Sequence, residues 1–276
     1  MRIDAHQHFW RPARGDYGWL DRAPSAIVRD AMPEELEPLL TAAGVQRTIL
    51  VQAAPSEAET AFLLSLAALT PFVAGVVGWI DFDAPDAVRR VQAAATTPLL
   101  RGLRPMVQDI DDTSWLARSD LDPVFEAMAE AGLRFDALVQ PRHLAALRER
   151  LRRHPGLRVV IDHGAKPNIA RGDISAWRDD LRAIAAETSA CCKLSGLATE
   201  AAPGWADADL APYVDVLAAT FGAHRLMWGS DWPVLNLNGD YLGWSEAADR
   251  LLADLSPEDL AWVRGGTAAE FYGVVA

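Results

Sequence analysis

Short runs of β-branched and apolar residues alternate along the chain with longer segments whose apolar positions recur at helical spacing. The short runs predict strands over residues 2–8, 46–52, 73–81, 100–104, 134–140, 158–163, 192–195 and 225–230. The longer segments predict helices over 33–43, 57–69, 84–95, 122–131, 144–154, 175–188 and 210–221, with two more in the tail over 244–255 and 257–272. Boundary chemistry agrees, since Pro33 suits a first helical turn and Gly44, Gly132 and Gly222 stand where helices stop. Alternating elements of this kind imply parallel strands, each returned by a helix. Eight such units in series predict a closed (β/α)8 TIM barrel rather than an open doubly wound sheet. With 276 residues and no linker or low-complexity stretch, the chain reads as one domain over 1–276. The segment 11–32, rich in Arg, Asp, Gly and Pro, is read as a loop over the barrel mouth.

That architecture sorts the polar residues, because barrel chemistry sits where strands end and the next loops begin. The first strand ends in Asp4-Ala5-His6-Gln7-His8. A side-chain period of two puts Asp4, His6 and His8 on one face, so two imidazoles at the mouth can reach one cation or one substrate oxygen. The sixth strand is an apolar run that stops in Asp162-His163. Neighbours face opposite ways, so His163 is assigned inward and Asp162 to a supporting role. The eighth strand ends in Gly229-Ser230-Asp231-Trp232-Pro233. There the glycine admits close approach and the proline breaks the strand just after the acid, a place suited to a general base. Arg104, closing the fourth strand, and Lys193, on the seventh, are candidate cations for a substrate carboxylate or hydroxyl. His143, His154 and His224 fall in helical contexts without a partner motif and are assigned to the surface.

Composition narrows the class without choosing the reaction. No apolar stretch is long enough to span a bilayer, and the N-terminus lacks the basic start and apolar run of a signal peptide. The two cysteines, Cys191 and Cys192, are neighbours, which suits neither a disulfide framework nor a thiolate zinc site. A cytoplasmic enzyme is expected. A formal net charge of −12 argues against nucleic acid or an anionic membrane as partner. The expected partner is a small molecule, and a homo-oligomer is left open. Of ten tryptophans, Trp10, Trp19, Trp79 and Trp232 stand near the motifs above, where packing accounts for each.

Taken together, DAHQHFW, RGLRP, DHGAKP, KLSG and MWGSDWP, in order from the first strand to the eighth, resemble the amidohydrolase superfamily. Within it the chain is similar to the branch of sugar-lactone and dicarboxylate lactonases. That branch includes L-fuconolactonase-like and L-rhamnonolactonase-like enzymes and, more distantly, 2-pyrone-4,6-dicarboxylate lactonase. The resemblance implies a hydrolase of carbohydrate catabolism that opens a sugar-derived lactone, such as L-fucono- or L-rhamnonolactone, to its hydroxy acid. Asp231 would activate the water, while His6, His8 and His163 would polarise the carbonyl directly or through a divalent cation. Arg104 and Lys193 would hold substrate groups, with Gln52, Trp79 and Gln140 shaping the pocket. No lysine ends the fifth strand to bridge two metals, since Gln140-Pro141-Arg142-His143 stands there. The resemblance therefore implies either one cation, zinc first, on His6, His8 and Asp231, or a metal-free site. Two other activities stay open on the same barrel: a dicarboxylate lactonase, and a non-oxidative decarboxylase of an unsaturated or aromatic acid. A non-catalytic barrel would waste four intact candidate groups.

Overall fold

The computed structural model describes residues 1–275. Among them, eight parallel strands follow one another around a single sheet: β1 Ile3–Gln7, β2 Arg47–Val51, β3 Val73–Gly78, β4 Leu100–Leu103, β5 Arg134–Ala137, β6 Val159–Ile161, β7 Cys191–Leu194 and β8 Leu226–Trp228. The helices that return the chain are α1 Pro33–Ala43, α2 Glu57–Ala67, α3 Ala87–Ala95, α4 Asp122–Glu130, α5 Leu144–Arg153, α6 Ser175–Glu187, a short α7 Leu197–Glu200, and α8 Asp207–Phe221. After β8 come α9 Tyr241–Leu251, α10 Pro257–Ala261 and α11 Thr267–Tyr272. This is the expected (β/α)8 barrel in a single domain. No described helix is long and apolar enough to cross a membrane.

Local chemistry sets the element ends. Gly44 stops α1 in a left-handed conformation that returns its N–H to Leu40 and Thr41 carbonyls. The Ser56 side chain caps α2 by accepting from the Glu59 N–H. The tail departs from the single helix expected over 257–272. A π-turn over Trp262–Gly266 interrupts it with non-helical backbone at Gly265, which packs so close to the Met1 carbonyl that any side chain there would collide. The break lets α11 turn under the barrel, where Ala268, Phe271 and Tyr272 join Ile3, Ala5, Ile49, Val51, Val77, Val160 and Met227 in the interior core.

The ring closes just beyond β8. The Asp231 N–H donates to the His6 carbonyl at 2.8 Å, and the His8 N–H donates to the Trp232 carbonyl at 2.8 Å. Gly229 makes that approach possible: a Cβ there would sit 2.8 Å from His6 Cβ. The segment 11–32 lies over the mouth, tied at its base by an antiparallel bridge between Trp10 and Ala31 and above by Trp19 Nε1–H donating to the Ala53 carbonyl at 2.8 Å.

Two expectations about facing and burial fail. Asp4 does not share a face with His6 and His8. A bulge between Asp4 and Gln7 turns Asp4 outward, where it accepts from Tyr241 Oη at 3.0 Å and from the Ser230 N–H at 2.9 Å, while Ile3 and Ala5 fill the interior. Nor do all three remaining histidines lie on the surface. His143 and His154 are buried, the first with Nδ1 accepting from the Gln140 N–H at 3.0 Å. Only His224 is exposed, with its ring on Trp262.

Candidate active site

Four side chains converge where β1, β6 and β8 end. His6 Nε2 lies 3.2 Å from His8 Nε2, and Asp231 Oδ1 lies 3.2 Å from His8 Nε2, 3.7 Å from His6 Nε2 and 3.8 Å from His163 Nε2. All four are buried. Two of them sit on left-handed backbone, Asp231 at φ 60° and His163 at φ 55°, a conformation that non-glycine residues hold only where the surroundings impose it. At His163 the turn has a purpose. The strand's alternation sends Asp162 inward, and the left-handed residue that follows brings His163 back to the mouth as well. Both therefore serve the interior, where regular alternation allowed only one.

Beneath the histidines lies a buried ionic framework. Lys193 Nζ lies 2.5 Å from Asp136 Oδ2, 2.9 Å from Asp162 Oδ1 and 3.1 Å from His6 Nδ1. Tyr272 Oη donates to Asp136 Oδ2 at 2.6 Å, so α11 at the barrel floor connects through Lys193 to His6. Arg104 donates to Asp162 Oδ2 at 3.3 Å and to the Gln52 carbonyl, while Gln52 Nε2 donates to the Arg104 carbonyl at 2.7 Å. The assignment of Lys193 to substrate does not fit this arrangement. Its ammonium is fully buried in the barrel interior, hydrogen-bonded to Asp136 and His6 and ion-paired with Asp162.

These contacts settle ring protons. The Val51 carbonyl can only accept, so His8 Nδ1 donates to it at 2.8 Å. His6 has a donor-only neighbour at each ring nitrogen, and the nearer, Lys193 at 3.1 Å from Nδ1 against Arg104 at 3.4 Å from Nε2, makes Nδ1 the acceptor and leaves the ring proton on Nε2, toward His8 and Asp231. Burial, then Lys193, hold His6 well below the usual histidine range. Burial likewise lowers His163 to about 4, against the pull of Asp231 and Asp162, and its Nδ1 pairs with Ser195 Oγ at 2.9 Å. For Asp231, burial pushes the carboxyl up, but the imidazoles of His163, His8 and His6 outweigh it and hold the group below the ordinary carboxylate range. At neutral pH the site is thus a carboxylate facing neutral imidazoles at His6 and His163.

The donor set suits one divalent cation. Ligand atoms of His6, His163 and Asp231 lie within 4.8 Å of one another, and His8 Nε2 is 3.2 Å from both Asp231 and His6. Tetrahedral zinc with bonds of about 2.0–2.2 Å places its ligands roughly 3.3–3.6 Å apart, close to these spacings. His6 would have to move its proton to Nδ1, toward Asp162 Oδ1 at 3.5 Å, to take part through Nε2.

Above the cluster opens a cavity of about 240 Å³, lined by His8, His163 and Asp231 with Trp19, Ala53, Arg104, Met106, Gln108, Asp109, Leu138, Lys166 and Val234. That is below the usual 300–1,000 Å³ of drug-sized sites and fits a small ligand. Of the residues expected to hold substrate, Arg104 is on this wall; Gln52, Trp79, Gln140 and Lys193 are not. Gln52 and Lys193 are consumed by the framework, Trp79 is bound through its backbone to Thr60, and Gln140 lines a neighbouring groove. Sequence reasoning missed Gln108, Asp109 and Lys166. Lys166 belonged to a motif already in view, but nothing in strand periodicity places a loop residue such as Gln108. Gly196 braces the wall from behind: at φ 65°, a Cβ there would lie 2.6 Å from His163 Nδ1. Gly196→Ala is expected to displace the imidazole and lower kcat by about 10–100-fold, as a misplacement near 1 Å does; an unchanged kcat would show that the ring tolerates the shift.

Known proteins match the chain over nearly its whole length. The amidohydrolase family model matches residues 3–274. A curated L-fucono-1,5-lactonase of Burkholderia ambifaria is 47% identical, the match spanning 99% of this chain and 96% of the relative. Another L-fucono-1,5-lactonase, from Burkholderia multivorans, is 38% identical over 99% of this chain and 96% of its own. The crystal structure of an amidohydrolase from Burkholderia multivorans with bound zinc superimposes with a TM-score of 0.92 at 36% identity, covering all of both chains.

Proposed function

The chain belongs to the amidohydrolase family and is a hydrolase of sugar lactones, and from that premise we propose that its substrates are L-fucono-1,5-lactone and closely related neutral aldonolactones. The observation that carries the choice is the charge of the cavity wall. Its two cations already face carboxylates, Arg104 at 3.3 Å from Asp162 and Lys166 at 3.7 Å from Glu200, and Asp109 adds a negative charge. A dicarboxylate would meet no free pair of cations among the described residues, whereas an uncharged polyhydroxylated ring needs none. The buried free thiols of Cys191 and Cys192 support a cytoplasmic setting.

In this reading Asp231 takes a proton from water as its oxygen adds to the lactone carbonyl. The imidazole of His163, on the cavity wall, faces the carbonyl oxygen and stabilises the charge it gains, while His6, held by Lys193, sits behind it against His8 and Asp231. The ring C–O bond then breaks, and protonated Asp231 returns its proton to the leaving alkoxide. The carboxylic acid product ionises and releases one proton per turnover. A divalent cation held by Asp231 with imidazoles from among His6, His8 and His163 would supply Lewis-acid polarisation of the same carbonyl.

The test is acid release, followed by a pH indicator, from fucono-, rhamnono- and galactonolactones and from 2-pyrone-4,6-dicarboxylate, with and without chelator. Hydrolysis of the neutral lactones and not of the dicarboxylate is expected. Activity that survives chelation assigns polarisation to the histidines, and activity restored by zinc assigns a cation to them. Silence with every neutral lactone would end this reading.

A further inference from the structure

The loop after β6 makes a turn that side chains ordinarily forbid. His163, Gly164, Ala165 and Lys166 follow one another at φ 55°, 56°, 61° and 51°, all left-handed, and only one of the four is glycine. Left-handed residues normally occur singly, because Cβ crowds the following carbonyl oxygen. Here the turn is held in place: Trp177 Nε1–H donates to the Gly164 carbonyl at 2.6 Å, and the Lys166 N–H donates to the His163 carbonyl at 2.8 Å. Strain of this kind persists only where the surroundings impose it, and it gathers at functional sites. One end of the turn carries His163 to the catalytic cluster. The other end carries Lys166 to the wall of the same cavity.

The Lys166 ammonium arrives there with its donors open. Its side chain keeps 25% of its surface exposed, unlike Lys193, which is fully buried and hydrogen-bonded to Asp136 and His6. Glu200 lies 3.7 Å away, near enough to balance the charge and too far to accept a hydrogen bond. A donor whose charge is already balanced suits a neutral oxygen better than a second carboxylate, and Asp109, exposed on the same wall, would repel a carboxylate. We propose that Lys166 is a substrate-binding residue that donates from Nζ to a ring hydroxyl oxygen of the lactone, and that the left-handed turn serves to bring His163 and Lys166 to one cavity. The assignment rests on the sugar-lactone reading and deepens it, because it names the group that holds the hydroxylated part of the ring while His163 faces the carbonyl.

The experiment measures kcat and KM for L-fucono-1,5-lactone and its three monodeoxy lactones, with wild type, Lys166→Met, Lys166→Arg and Lys166→Gly, each with a thermal melt. Lys166→Met, of similar length, is expected to lower kcat/KM on the full lactone by about 10–100-fold, chiefly through KM, the worth of one charged hydrogen bond. On one monodeoxy lactone, the one lacking the bound hydroxyl, the same variant should match wild type. Lys166→Arg, which keeps a donor, should recover part of the loss. Lys166→Gly should lose the same preference yet melt no lower than Lys166→Met, because glycine adopts this φ without strain. Should Lys166→Met fail to fold, Lys166→Gly carries the same comparison. Rates that fall by one common factor on all four lactones, or do not change, overturn the assignment. A wild type that opens none of them overturns the sugar-lactone reading beneath it.

Discussion

Asp231→Asn is expected to lower kcat on a sugar lactone by about 10²–10⁴-fold, the usual contribution of a positioned general base. At about 1.4 kcal/mol per tenfold, that is roughly 3–5.5 kcal/mol of transition-state stabilisation. Asparagine keeps the shape of the side chain, and the hydrogen bonds that close the ring at this residue belong to its backbone, from Asp231 N–H to the His6 carbonyl. The melting temperature should therefore move by a few degrees at most. What is lost is the ability to take a proton. Three imidazoles within 3.2–3.8 Å keep the carboxylate ionised, and the same environment makes protonated Asp231 a strong acid that readily gives the proton to the departing alkoxide. Steady-state kinetics with a thermal melt decides the matter. A kcat within about threefold of wild type would remove Asp231 from the role and leave His163 as the next candidate base.

Lys193→Met should act chiefly on stability. The substitution keeps length and packing but strips the cation from between Asp136 and Asp162, leaving two buried carboxylates side by side. Breaking a buried ion pair by removing one partner costs about 3–5 kcal/mol. For a chain of this size that is a fall in melting temperature of roughly 6–20 °C. Activity should fall as well, because His6 Nδ1 loses the donor that sets its tautomer. A combined Lys193→Met and Asp136→Asn variant should recover part of the lost stability, since one of the stranded charges is gone. If Lys193 instead held substrate, KM would rise while the melt stayed put.

The barrel was legible in the chain because parallel, doubly buried strands write themselves as short β-branched runs, and helix stops carry glycine. The expected helix 33–43 and observed α1 coincide, and every expected strand is present within a few residues of its position. The convergence of His6, His8, His163 and Asp231 was legible too, since the barrel places all strand ends on one rim. Facing was not. A period of two assumes unbroken strands, and here a bulge after Asp4 and a left-handed residue at His163 each reverse it. Burial of charge was equally hidden: Lys193 reads as a ligand until Asp136 and Asp162, distant in sequence, surround it. His143 reads as a surface residue because helix context says nothing of what packs across it. The cavity wall was the least visible part, since Gln108 and Asp109 come from a loop whose path no local pattern dictates.

The hydrogen bonds that seal the ring between the first and last strands carry one more consequence. Asp231 and His6 are joined through their backbones at that seam, so two segments far apart in sequence must meet before a base faces an electrophile at all. Chemistry is therefore forfeited as soon as the edges part. Lactone turnover followed during mild heating should decline ahead of the bulk loss of helix, reporting an unzipping that spectroscopy of the helices does not register.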